Sequence, residues 1–210
     1  MRPNPVRRWA AALCCLLACA AAHATVQERE TNIVELVGKS ELILHGRVES
    51  VSDGIDARGF PYTEVQLRVH DAIRGQVGSR YTFRQFGLLK PRRMGNGLTN
   101  VTVTPAGWST YAQGEETILF LYKHAKYTGL QTTVGLGHGK FNVAAAGAAN
   151  RVSNAGLFAH VSVTPGLLAD SDRRVMDTEK GPVNAKSFVA LVHKIVEGRW
   201  IEHGSMRNEH

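Results

Sequence analysis

The stretch "VGLGHGKFNV" (Val134 to Val143) has the glycine spacing and Gly-Lys pair of a phosphate-cradling loop. A Walker-type loop needs a glycine five positions before the Gly-Lys pair and a Ser or Thr after it. Those positions hold Val134 and Phe141. A dinucleotide fingerprint must open a helix whose N-terminal N–H groups face the phosphate. The residues after Gly139 read instead as the start of a strand. The sequence therefore predicts that Gly135, Gly137 and Gly139 form a bend, bulge or crossing between two strands.

The other residue types capable of chemistry are scattered. Nine histidines are present. No pair of them has the HExxH form or a compact zinc-ligand spacing. His45 and His70 fall on polar faces of expected strands, which predicts solvated side chains. His124 and His138 lie near turns, and His203 and His210 lie in the tail. "GWSTY" around Ser109 lacks the GxSxG pattern and its strand-turn-helix frame. "DSDRRVMD" (Asp170 to Asp177) starts like a calcium loop. It then places Arg174 where a ligand belongs and has no central glycine, so a surface loop is expected. These absences predict no enzyme, no cofactor and no metal.

One segment suits contact with a partner. "KPRR" (Lys90 to Arg93) is a basic loop tip inside a long irregular stretch, Gly87 to Thr110. Lys90, Arg92 and Arg93, with Trp108 and Tyr111, form the expected interaction loop. Arginine and large aromatics are the side chains that carry binding energy when a surface is buried.

The elements around these residues follow from periodicity. In "TNIVELVGKS", Ile33, Leu36 and Val37 share one helical face, with Thr31 able to cap the start and Gly38 to end it. "LILHGRVESV" and "YTEVQLRVHDAI" alternate as half-buried antiparallel strands joined by "DGIDARGFP". "RYTFRQF" is a third strand. "TILFLY" is a continuous apolar run, as in a strand buried on both faces. "YTGLQTTV" and "KFNV" read as further strands, with a short one at "VTV" (Val101 to Val103). Phe188, Leu191, Val192 and Ile195 recur at helical spacing before Gly198, and "SMRNEH" reads as a frayed tail. Short strands spaced by turns, with a helix at each end, predict a mainly β fold: a small OB-like antiparallel barrel.

The chain's start predicts export. Arg2, Arg7 and Arg8 precede the apolar "WAAALCCLLACAAA" and a small-residue "AHA" site, the form of a secretory signal cleaved after Ala24. The expected organisation is a signal over 1–24, a β-barrel domain over 25–180, and a C-terminal helix and tail over 181–210. All three cysteines lie in the signal. The mature protein would then have no thiol nucleophile, thiolate site or disulfide, and its core alone would hold it. "LLAC" also resembles a lipobox, which would leave lipidated Cys19 as the first residue. Removing the three signal arginines from a net charge of +7 leaves +4. That is a mildly basic surface, and a nucleic-acid partner is not expected outside the cytoplasm.

The run "SELILHGRV", "YTEVQLRVHDAIRG", "GEETILFL" and "GLGHGKFNV", over about Thr31 to Val143, resembles an uncharacterised family of exported bacterial proteins. It is similar in look to the OB-type barrels of netrin-like and tissue metalloproteinase-inhibitor domains. Those inhibitors chelate the protease zinc with an N-terminal cysteine. Thr25 stands at the expected terminus here, so only the barrel, export and a binding or inhibitory theme carry over. The resemblance implies a periplasmic or secreted, non-enzymatic protein-binding module, an inhibitor or accessory of an exported protease. Two other roles stay open. One is an envelope-associated structural protein, held by lipid at Cys19 or by basic charge. The other is an enzyme with a dispersed site.

Overall fold

A computed structural model describes residues 31–150, 156–178 and 181–209. The expected signal, its cleavage point after Ala24, Thr25 and Cys19 lie outside the described residues.

Two long strands dominate. β1 (Leu42–Ile55) and β2 (Pro61–Arg74) form a hairpin, and β3 (Arg80–Phe86) follows on β2. β6 (Glu116–Leu121) pairs with the first half of β1 on one side and with β7 (Lys140–Val143) on the other. β8 (Ala148–Asn150) and β10 (Val183–Asn184) complete a seven-stranded antiparallel sheet in the order β10-β8-β7-β6-β1-β2-β3. Among the described residues its ladders do not close into a ring. Two two-stranded pieces stand apart: β4 (Arg92–Arg93) with β5 (Thr99–Asn100), and β9 (Val161–Val163) with β11 (Met206–Asn208). With three α-helices among the described residues, the fold is mainly β, as the alternation predicts.

The central strand is buried on both faces, as expected of an uninterrupted apolar run. Ile118 and Phe120 join Ile43, Phe141 and the helices on one face. Leu119 and Leu121 join Leu44, Val48, Val65, Leu67, Phe83 and Tyr111 on the other. α1 (Ile33–Lys39) and α3 (Ala185–Glu197) cover the first face. Phe188, Leu191, Val192 and Ile195 of α3 are completely buried. Each contributes about 2 kcal/mol of hydrophobic stabilisation. Gly198 caps α3 at its C-terminus as expected.

Several local expectations change. Asn32 caps α1 in place of Thr31, its side-chain oxygen accepting from the Glu35 N–H at 3.2 Å. Ser40, and not Gly38, ends that helix. Residues 170–177 are not a loop, because α2 (Asp170–Met176) occupies them. Its buried Val175 packs into the core, and the buried Asp172 is neutralised by Lys194 of α3 at 2.7 Å. "YTGLQTTV" is mostly irregular, and of it only Thr133 bridges to β6. The tail through Glu209 is not frayed either, and His210 lies outside the described residues. Met206 is fully buried in β11, and Asn208 accepts from the Asn32 side chain at 2.8 Å. These non-local partners compensate for weak local signals.

The segment 130–134 lies between the two ends of the meander. The Tyr122 N–H donates to Thr132 O (3.0 Å) and the Val134 N–H to Phe120 O (2.8 Å). On the other side the Gln131 N–H donates to Arg84 O of β3 at 2.8 Å. After it Gly135, in a left-handed conformation, caps a short 3₁₀ turn (Leu136–Gly139) that holds Gly137 and Gly139 and leads into β7, a bend of the kind the sequence allows beside a bulge or crossing. A Cβ on Gly139 would lie 2.4 Å from Val134 O, so the backbones there pass too closely for any side chain.

Candidate functional site

The loop after β3 is clamped at its root. Leu88 is completely buried, and its N–H and C=O bond to Thr102 O and the Thr104 N–H, both at 2.9 Å. Asp53 of β1 accepts from the Leu89 N–H at 2.8 Å and pairs with the Arg92 guanidinium. Beyond this root the chain turns at 94–97 between β4 and β5, with the Met94 N–H donating to Leu98 O at 2.7 Å. The hairpin and its flanks present apolar side chains to solvent. Leu98 is 67% exposed, Val101 69% and Leu89 51%. Lys90 and Arg93 are exposed beside them, and neither side chain has a partner among the described residues.

Neither aromatic expected to join this loop is exposed on its tip, and Tyr111 lines a small cleft at the loop's root with Leu88, Leu89 and Val103. Tyr111 is buried, edge-on to Phe83 at 5.6 Å between ring centres. Trp108 is half-buried and tilted over Phe86 at 6.5 Å. It lines a shallow cleft with Tyr122 and Leu130. Lys90, Arg92 and Arg93 thus remain together on the surface. Trp108 flanks a separate cleft, and Tyr111 belongs to the core. The Ser109 hydroxyl is engaged with Thr133 Oγ1 (2.9 Å) and Leu136 O (3.2 Å), bonds that serve packing.

Glu116 opens β6 and Glu115 immediately precedes it, and their side chains go to different partners, Lys140 for Glu115 and His45 for Glu116. Glu115 meets Lys140 at 2.7 Å, and Lys140 is only 7% exposed. Lys140 Nζ also donates to Thr110 O at 2.5 Å and lies 4.8 Å from the Tyr111 ring centre. Burial lowers the Lys140 pKa, and the Glu115 carboxylate partly restores it. Burial likewise pushes the Tyr111 phenol well above its usual range.

Glu116 faces outward. Its Oε1 accepts from His45 Nε2 at 2.9 Å, and its Oε2 accepts from Arg47 Nη2 at 3.0 Å. Arg47 Nη1 is held by Gly114 O at 2.9 Å, which fixes the carboxylate's direction. The His70 ring stands edge-on to His45, 5.6 Å away. The β1–β2 register explains how His70 arrives there. His45 pairs with Asp71 and Gly46 with Val69, leaving His70 as the extra residue of a bulge. A bulge re-aims the side chain it carries. Gly46 permits the close approach, since a Cβ there would lie 2.3 Å from Arg68 O.

His45, His70 and Glu116 each offer one ligand atom, and these atoms lie within 4.8 Å of one another. The strand pattern places both histidines on polar faces but predicts solvated, separate side chains. What it lacks is Glu116, which contacts His45 across a sequence separation of 71 residues. A neighbouring contact ties α3 to β2: His193 Nε2 bonds Asp71 Oδ2 at 2.7 Å. Burial would lower the His193 pKa, but the Asp71 and Glu197 carboxylates outweigh it and raise the value.

Comparison with protein-family models, curated proteins and solved structures finds no match to this chain. No helix among the described residues is long and apolar enough to cross a membrane.

Proposed function

We propose that this protein is an exported, non-enzymatic protein-binding module that docks through the hairpin spanning residues 89–103. The observation that carries this is the pair Leu98 and Val101, each about two-thirds exposed on a rigidly rooted loop. Large apolar side chains grouped on a protruding element mark an interaction surface. Lys90 and Arg93 rim them, so the complementary partner is an exported protein with an apolar patch edged by carboxylates. An exported protease is the partner class favoured by the likeness to inhibitor barrels. On this reading the β1-β2-β3-β6 region is an OB-like barrel. Its support is the pair of hydrogen-bonded contacts through which segment 130–134 reaches β6 on one side and β3 on the other. The apolar cluster around Leu44, Phe83 and Leu119 then fills its interior.

The test is cross-linked capture of the C-terminally tagged protein from its host envelope, read by mass spectrometry. Leu98→Asp with Val101→Asp should abolish enrichment of an exported partner. Lys186→Glu, on the exposed side of α3, should retain it. Lys90→Glu with Arg93→Glu should weaken it; Arg92 is left intact because Asp53 uses it to anchor the loop. Equal capture by the Leu98/Val101 variant and the unaltered protein would overturn the proposal, as would no exported partner at all.

A further inference from the structure

We propose that His45, His70 and Glu116 form a binding site for a divalent transition-metal ion of the zinc class. The donor set is two imidazole nitrogens and one carboxylate oxygen. Imidazole donors favour zinc and its neighbours in the first transition row over magnesium or calcium, which take oxygen ligands. Three protein ligands with a fourth position left to water is the pattern of an open zinc centre.

The geometry is close to what such an ion requires. With bonds of about 2.0–2.1 Å, tetrahedral ligands stand about 3.3 Å apart. His45 Nε2 and Glu116 Oε1 are already at 2.9 Å, so an ion replacing the shared proton needs them to separate by only a few tenths of an ångström. His70 must close the larger gap, and the ligand atoms are within 4.8 Å of one another. Its ring is exposed on the bulge and is free to rotate towards the pair. His45 and Glu116 are fixed more firmly, because β1 and β6 pair directly from Leu42–Leu121 to Arg47–Glu116. Arg47 supplies an outer-shell contact of the kind that orients a ligating carboxylate. It engages Oε2 and leaves Oε1 directed at His45. The His45 and Glu116 side chains are 20% and 27% exposed, so solvent reaches the centre and an ion can enter.

This centre is independent of the proposed docking hairpin. His45 lies near the start of β1, and Asp53, which anchors the hairpin, lies eight residues later. That is about 26 Å along an extended strand.

The experiment is calorimetric titration of the chelator-stripped full chain with zinc sulfate, repeated with cobalt(II) to read its visible d–d absorption. One ion per chain is expected, with cobalt giving the intense bands of a tetrahedral site. His70→Ala is the decisive variant, because that side chain is exposed and its removal leaves the fold intact. His70→Ala and Glu116→Gln should each weaken zinc by at least about tenfold, the loss typical even of an outer-shell partner. His124→Ala and His203→Ala should change nothing. Thermal unfolding of each apo variant checks that it is folded. The proposal is overturned by no saturable zinc binding, or by affinity that survives His70→Ala and Glu116→Gln. Loss of binding on removing His124 or His203 instead would overturn it too, by locating the ion elsewhere.

Discussion

Glu115 and Glu116 are adjacent in sequence, identical in chemistry and opposite in circumstance. Glu115 turns into a closed cluster with Lys140, Thr110 and the Tyr111 ring. Glu116 turns to an open one with His45, Arg47 and, beside them, His70. In the closed cluster every partner is chosen by burial. A lysine at 7% exposure needs a carboxylate and a carbonyl to offset its lost hydration. In the open cluster His70 is exposed and the His45 and Glu116 side chains keep 20% and 27% of their surface in solvent, so burial alone does not require two imidazoles to converge on one carboxylate. The difference separates a polar group that holds a fold from one arranged towards a ligand.

Removing Lys140 is the strongest challenge to this contrast. Lys140→Ala should cost about 3 kcal/mol, because it strands Glu115 without its buried partner. Lys140→Met combined with Glu115→Leu should recover most of that loss, since an apolar pair of similar volume needs no desolvation. Denaturant titration measures both. A loss below about 1 kcal/mol would mean the cluster behaves as a surface pair. Zinc binding should be unaffected by either variant, because the Lys140 cluster shares no side chain with the proposed site.

Gly46→Ala should come next, at about 2 kcal/mol, as a Cβ forced against the Arg68 carbonyl must displace one strand of the ladder. It should also abolish zinc binding, because the displaced backbone carries His45 and the His70 bulge. A stable variant with intact zinc binding would show that the bulge does not set the site.

The smallest effect belongs to His193. Its folded-state pKa is raised, with burial opposed and outweighed by Asp71 and Glu197. The protonated ring therefore stabilises the fold fully below its ordinary value near 6.5. That contribution is lost as pH rises through the raised folded value. Melting temperatures between about pH 5 and 8 should fall more for the unaltered protein than for His193→Gln. Identical pH profiles would rule out this linkage.

Much of the fold was legible in local pattern. Strict alternation marked β1 and β2, the unbroken "TILFLY" run marked a strand buried on both faces, and the Phe188-Leu191-Val192-Ile195 spacing marked α3. The elements that were not legible depend on distant partners. α2 is stabilised through Asp172 and Lys194, and β11 through β9 and the buried Met206. Neither pairing leaves a periodic trace. Of the expected interaction loop, the basic residues could be placed on the surface from the composition of "KPRR". The inward turn of Tyr111 could not, since an aromatic near a loop serves a core and a surface equally well by type.

What the sequence alone determined is much of the alphabet of elements: where β1 and β2 alternate, where α1 and α3 turn helical, and that the glycines near Gly139 make a bend between strands. Those are consequences of side-chain period and backbone sterics, which act within a few residues. Tertiary structure alone decided which face each polar residue met. It set Glu115 against Lys140 and Glu116 against His45, and through one bulged residue it swung His70 to the same place. The reason is physical. A ladder register joins residues tens of positions apart, and a single extra residue in one strand reassigns every side chain around it.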